Sequence, residues 1–294
     1  MSLWIPVTLA AVLFQTARFM LQKHLATSGL SAGGATFARF LWAAPLVWAA
    51  WGVSGIGLPP LPPLFWLWAV LGGVTQILAT VLVVLLFQSR NFAVGVTLKK
   101  TEVLLTAMIG FVLLGEGVSL PALIAILGGL AGVLVLTNLP EGRGLLGRVA
   151  TRAAGLGLAS GVFFALSGVA YRAASLMVPA APGARALVTL LVVVSAQLIL
   201  MSAWLRLREP GQISRVIGAW RGTLWVGVTS VAGSFCWFTA FTLQNAALVY
   251  AVGQFEVVLS LLASVLFFRE SVSGREYWGI GLVTASVLAL IALS

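Results

Sequence analysis

The sequence predicts an all-α integral membrane protein of ten transmembrane helices, arranged as two inverted five-helix repeats. Three observations predict it. The 294-residue chain is 61% hydrophobic and 8% charged, with a mean hydropathy of +1.09, whereas a soluble domain carries about 25% charged residues. Its long apolar runs, such as 103–114 and 187–200, lack strict alternation and favour helices over barrel strands. Part of the first half also recurs in the second: residues 85–137 and 239–291 share 14 identities in 53 positions.

A helix needs roughly 20 residues to span a bilayer, and ten segments qualify. The first, 3–26, lacks a positive leader and is interrupted by Gln15, Arg18, Gln22 and Lys23, so it reads as a retained helix rather than a signal peptide. The second, 33–53, holds Arg39, expected near the cytoplasmic end, where it would snorkel to the interface. The third, 64–87, follows a Pro-rich turn at 57–63 and carries Gln76. The fourth, 91–114, carries Lys99, Lys100 and Glu102, and the fifth, 119–138, the pair Gly128 and Gly132. A loop over 139–152, with Arg143, Arg148 and Arg152, divides a first unit, 1–138, from a second, 153–294. In the second unit, 153–176 carries Gly157 and Gly161, 184–205 carries Gln197, and 222–243 leads to Gln244 and Asn245. Segment 247–268 carries Gln254 and Glu256, and 275–293 ends the series. The paired glycines permit close helix contact, expected to be internal, with a homodimer through such a face left open.

An offset of 154 aligns Phe87 with Phe241, Asn91 with Asn245, Glu102 with Glu256, Glu116 with Glu270 and Ser119 with Ser273. The polar matches carry the weight, because polar residues are scarce. They support duplication for the fourth and fifth segments against the ninth and tenth, and for the rest by extension. Five helices per unit is an odd number, so the second unit enters from the opposite side. Loops after odd-numbered segments hold Lys23, Arg90, Arg143, Arg148, Arg152, Arg206, Arg208, Arg215, Arg221, Arg269 and Arg275; the others hold Arg172 and Arg185. The positive-inside rule then expects a multi-pass protein with its odd-numbered loops in the cytoplasm and both termini outside. The net charge of +10 is spread over these loops, which argues against a nucleic-acid partner. Trp4, Trp66, Trp68, Trp204, Trp220 and Trp225 lie near segment ends as expected interface anchors, with Trp42 and Trp237 further inside.

Charge inside a span is costly and marks function. Gln15, Arg18 and Gln22 form one polar stripe at i, i+3 and i+7, and Lys99 can pair with Glu102 at i+3. With Lys100, Gln254 and Glu256 they are the expected lining of a midplane cavity that binds a small molecule. The alternative is a sealed ion-pair network in which Arg18 or Arg39 neutralises Glu102 or Glu256. Glu102, beside Lys99 and Lys100, is expected to be the charge-paired carboxylate; Glu256, beside Gly253 and Gln254, is the better candidate for proton coupling. Glu116 and Glu270 read as boundary or capping residues.

Several classes are excluded or disfavoured. Cys236 and His24 are the only residues of their kinds and Asp is absent, so no disulfide, His-based metal site, catalytic triad or cofactor is expected from this chain alone. There is no nucleotide-binding loop for direct ATP hydrolysis. A non-transporting receptor or assembly protein, and an intramembrane enzyme on a lipid-linked substrate, are the alternatives to a transporter.

Lys100-Thr-Glu-Val-Leu-Leu-Thr-Ala followed by Leu113-Leu-Gly-Glu116 resembles the fourth helix of EamA-type members of the drug/metabolite transporter superfamily. Gln254-Phe-Glu-Val-Val-Leu-Ser with Phe267-Phe-Arg-Glu270 resembles the ninth; Val103 and Val257 stand where many members have Pro. The resemblance implies an inner-membrane secondary transporter, often an exporter of amino acids, metabolites or drugs, and not an enzyme.

Overall fold

The computed structural model describes residues 2–27, 29–88, 98–136, 151–259 and 274–293. The expectations for Arg90, Asn91, Arg143, Arg148, Arg269, Glu270 and Ser273 lie outside these residues. Every regular element described is a helix: α1 (Trp4–Thr27), α2 (Ala32–Ser54), α3 (Pro63–Phe87), α4 (Glu102–Leu114), α5 (Leu120–Leu136), α6 (Arg152–Leu176), α7 (Pro182–Arg208), α8 (Gln212–Gly218), α9 (Trp220–Leu243), α10 (Ala246–Gly253) and α11 (Gly274–Ala292). A turn at Gln254 separates α10 from a helical stretch over 255–259. Helices α1, α3, α6, α7 and α9 are long and apolar enough to cross a membrane; α4, α5, α11 and α10 with its continuation are shorter and also apolar.

Local chemistry sets the ends. Ser31 and Thr151 cap α2 and α6, each hydroxyl accepting from a backbone N–H three residues on, Gly34 at 2.9 Å and Ala154 at 3.1 Å. Asn245 caps α10 by accepting from Ala247 N at 2.8 Å. Pro63 and Pro182 start α3 and α7, where a missing N–H costs nothing. Helix α4 stops at Gly115, whose φ of 68° suits a left-handed C-cap. There Gly115 N bonds Phe111 O, and Glu116 N reaches back to Gly110 O at 3.2 Å.

The bundle is apolar outside and polar within. Met108, Phe111 and Val112 of α4 are exposed, while Arg18, Arg39, Lys99, Lys100 and Glu102 are all buried. That distribution suits a lipid surround, where water does not drive helices together and small residues let backbones approach. The main packing partners are α3 with α6, α1 with α9 and α5 with α11, joined by α2 with α7 and α9, and α4 with α6 and α10. Gly129 and Gly132 make the α5–α11 seam: a Cβ there would fall 2.6 Å from Ser286 Oγ and 2.9 Å from Val283 N. Gly128 faces open space, so the expected Gly128–Gly132 contact is shifted by one residue.

Three further expectations are corrected. Arg39 does not snorkel; it is 2% exposed. Arg172 lies inside α6 rather than in a loop. Trp4 is buried at 4% exposure, whereas Trp66, Trp204, Trp220 and Trp225 are exposed.

Candidate functional site

The fourth predicted segment breaks among its charges: Leu98 and Lys99 are helical, Lys100 and Thr101 form a turn, and α4 begins at Glu102. Gly161 of α6 makes room for this turn, since a Cβ there would lie 2.9 Å from the Lys99 carbonyl oxygen. On the other side the chain turns at Gln254 before Glu256. The two turns bring four charges together. Lys99 Nζ is 3.4 Å from Glu102 Oε1, and Lys100 Nζ is 2.7 Å from Glu256 Oε2. The crossed pairs, Lys99 with Glu256 and Lys100 with Glu102, are each 4.0 Å. Each carboxylate thus faces both ammonium groups. The expectation that Glu102, rather than Glu256, is the charge-paired carboxylate is corrected, because Lys100 makes its shortest contact with Glu256.

Neighbouring elements hold the quartet. From α1, Gln15 donates to Glu256 Oε2 at 3.4 Å and accepts from Trp237 Nε1 of α9 at 3.1 Å and from Arg18 Nη2 at 3.5 Å. Lys99 Nζ also sits 4.7 Å from the Phe164 ring centre, a cation–π distance. From α2, Arg39 donates to Ser230 Oγ at 2.7 Å and Ser234 Oγ at 3.0 Å, both on α9. Gln76 of α3 accepts from Tyr171 of α6 at 2.9 Å and from Gln197 of α7 at 3.0 Å.

These groups surround a cavity lined by Gln15, Gln76, Lys99, Glu102, Tyr171, Ser234, Trp237 and Tyr250, with Phe164, Phe238 and Phe241 as its apolar wall. Its volume of about 20 Å³ holds about one water molecule, so this conformation is closed to a metabolite.

Not every expected residue reaches the cavity. Gln15, Lys99 and Glu102 line it, Arg18 stands behind Gln15, and Lys100 and Glu256 complete the quartet. Gln22 instead bonds the Ala35 carbonyl of α2 at 3.1 Å. Gln254 turns towards α5, its Oε1 2.6 Å from where a Gly129 Cβ would be. Gln244 and Asn245 serve the α9–α10 junction: Gln244 Oε1 accepts from Asn245 N. Tyr171, Tyr250 and Ser234 were missed. The available signal was rarity, since the chain has three tyrosines and two of them stand here among aromatic neighbours, Tyr171 buried and Tyr250 partly buried.

A second charged cluster lies at one end of the bundle. Arg172 Nε contacts both carboxylate oxygens of Glu116 at 2.6 Å, and its Nη1 donates to the Phe241 and Gln244 carbonyls at 2.6 and 2.7 Å. Glu116 stands at the end of α4, as expected of a boundary residue, but its carboxylate is an ion-pair partner, and Arg172 satisfies orphan carbonyls at the C-terminal end of α9.

The geometry can be set beside known proteins. A solved crystal structure superposes with a TM-score of 0.75 over 99% of this chain and 96% of its own, at 17% identity, and so shares the fold. No curated protein matches the chain. The model of the EamA-like transporter family matches residues 151–292, which cover α6 to α11 and so include Tyr171, Ser234, Tyr250 and Glu256. The chain is a multi-pass membrane protein whose residues 151–292 match the EamA-like transporter family.

Proposed function

We propose that the chain is a secondary-active transporter that moves a small metabolite by alternating access, most simply as an exporter in an inner membrane. The observation that carries this reading is the quartet of buried Lys99, Lys100 and Glu102 with the part-buried Glu256, shared between the two sequence units and set beside a small polar cavity. Ion pairs buried this deeply are weak devices for stability, since desolvation offsets most of their attraction. In a membrane interior they mark pathways.

The helix pairing supports two inverted five-helix repeats. Leaving out the short α8, an exchange of the units carries the α3–α6 pair onto the α9–α1 pair. The same exchange returns α5–α11, α4–α10 and α2–α7 to themselves. The closed cavity then corresponds to an occluded state between two openings. A transported proton on Glu102 or Glu256 would weaken the quartet, because a neutral carboxyl no longer balances an adjacent lysine. Both termini outside remains the orientation that loop charge favours.

Transport into proteoliposomes, with and without a pH gradient, tests this. Loss of gradient-driven flux in Glu102→Gln or Glu256→Gln is expected. Full gradient-driven transport in both variants would remove the coupling role. A sealed, non-transporting network would give no flux under any gradient.

A further inference from the structure

The quartet is charge-balanced, two ammonium groups against two carboxylates. The two neighbouring arginines are not. Arg18 is 3% and Arg39 2% exposed, and among the described residues no carboxylate lies within 4.0 Å of either guanidinium. A guanidinium carries five N–H donors. Arg39 places its bonds on two serine hydroxyls, and its Nη1 has no partner. Arg18 has one long bond to Gln15, and its Nε has no partner. The two side chains also lie near enough to repel each other, and Arg18 feels the Glu256 carboxylate only from beyond ion-pair distance. Buried donors are normally satisfied, and buried charge is normally paired.

Their acceptors show where the missing charge belongs. Gln15, which accepts from Arg18, and Ser234, which accepts from Arg39, both line the central cavity. Each guanidinium therefore stands one side chain behind the cavity wall, from α1 and from α2. A ligand oxygen that replaced the Gln15 amide or the Ser234 hydroxyl would meet an arginine fork suited to carboxylate or phosphate.

We infer that Arg18 and Arg39 form an anion subsite of the central cavity, and that the substrate is an organic dianion: a dicarboxylate or a phosphate monoester. This rests on the transporter reading of the same site and narrows it. A zwitterionic amino acid would leave the excess of two positive charges unneutralised. A cation would add to it.

The test is thermal unfolding of the purified protein in phosphatidylcholine nanodiscs at fixed pH and ionic strength. The probes are succinate, glycerol phosphate, acetate, alanine and putrescine. Succinate or glycerol phosphate is expected to raise the unfolding temperature saturably, and the other three to leave it unchanged. Arg39→Gln and Arg18→Gln should raise the half-saturating dianion concentration at least tenfold. The ligand-free variants should unfold no earlier than the parent, since each has lost an unbalanced buried charge. Arg39→Lys, which keeps the charge without the fork, should bind between the two. A shift with alanine or putrescine and none with dianions overturns the inference. So does an Arg39→Gln protein that is less stable yet keeps its dianion response, which would make Arg39 structural. Nanodiscs containing phosphatidylglycerol separate the sources: an Arg39-dependent shift from that lipid, with no response to soluble dianions, also overturns it. Parallel flux measurements keep the two readings apart. Arg39-independent transport of alanine refutes the subsite alone, whereas absence of flux for every probe refutes transport.

Discussion

Lys100→Met in the quartet has a cost that the structure lets one estimate. At 2.7 Å, two unit charges attract by about 6 kcal/mol at an effective dielectric of about 20. Most of that is offset by the desolvation of both groups, so the pair itself contributes little net stability. Removing one partner is different, because the desolvated charge stays behind. Without Lys100, the nearest ammonium to Glu256 is Lys99 at 4.0 Å, and the nearest amide is Gln15 at 3.4 Å. A loss of about 3–5 kcal/mol is expected for breaking such a buried pair. Glu256→Gln should cost a similar amount by stranding Lys100. The double variant removes both charges and should recover much of the loss, giving a coupling energy of about 2–3 kcal/mol. Unfolding of the four proteins in detergent micelles by titrated denaturing surfactant measures the cycle. Additive losses, with coupling below about 0.5 kcal/mol, would show that Lys100 and Glu256 do not sense each other and would refute the quartet.

Other perturbations have separable outcomes. Gly161→Val should destabilise by about 1–3 kcal/mol, because its Cβ would press on the Lys99 carbonyl at 2.9 Å; Gly128→Ala meets nothing and should be neutral or stabilising by up to about 1 kcal/mol, both measured by the same unfolding assay. Arg172→Ala should cost about 3–5 kcal/mol by stranding Glu116 and freeing the Phe241 and Gln244 carbonyls, and should speed amide exchange at the α9–α10 junction. Gln22→Leu, which removes one bond to the Ala35 carbonyl outside the cavity, should cost about 1 kcal/mol and leave transport rates unchanged, as flux assays would report.

The helices were legible because a membrane demands apolarity from each of them; a described helix overlaps each of the ten predicted segments, and five of the described helices have the length and composition to span. The short α8 was not, because Gln212–Gly218 has neither a long apolar run nor a clear face. The charges inside the bundle were legible as charges, since Arg18, Lys99, Lys100, Glu102 and Glu256 interrupt apolar sequence. Their partners were less so. Local spacing correctly pointed to Lys99 with Glu102, but the contact of Lys100 with Glu256 joins residues 156 apart. Only tertiary packing around Gly161 and the turn at Gln254 brings them together. Arg39 and Arg172 were misread because sequence position stood in for depth. Ser230 and Ser234 face Arg39 from a different helix, and no local pattern announces that. Ser and Tyr were passed over because uncharged hydroxyls look unremarkable beside lysine and glutamate.

Access to the central cavity from both faces of the membrane is measured most directly at Ser234, which lines it. In a Cys236→Ala background, Ser234→Cys carries the only thiol of the chain. A membrane-impermeant maleimide should label it in right-side-out vesicles and also in inside-out vesicles, and saturating substrate should change the balance between the two. Labelling from one face only, or from neither, would contradict alternating access around the lysine–glutamate quartet.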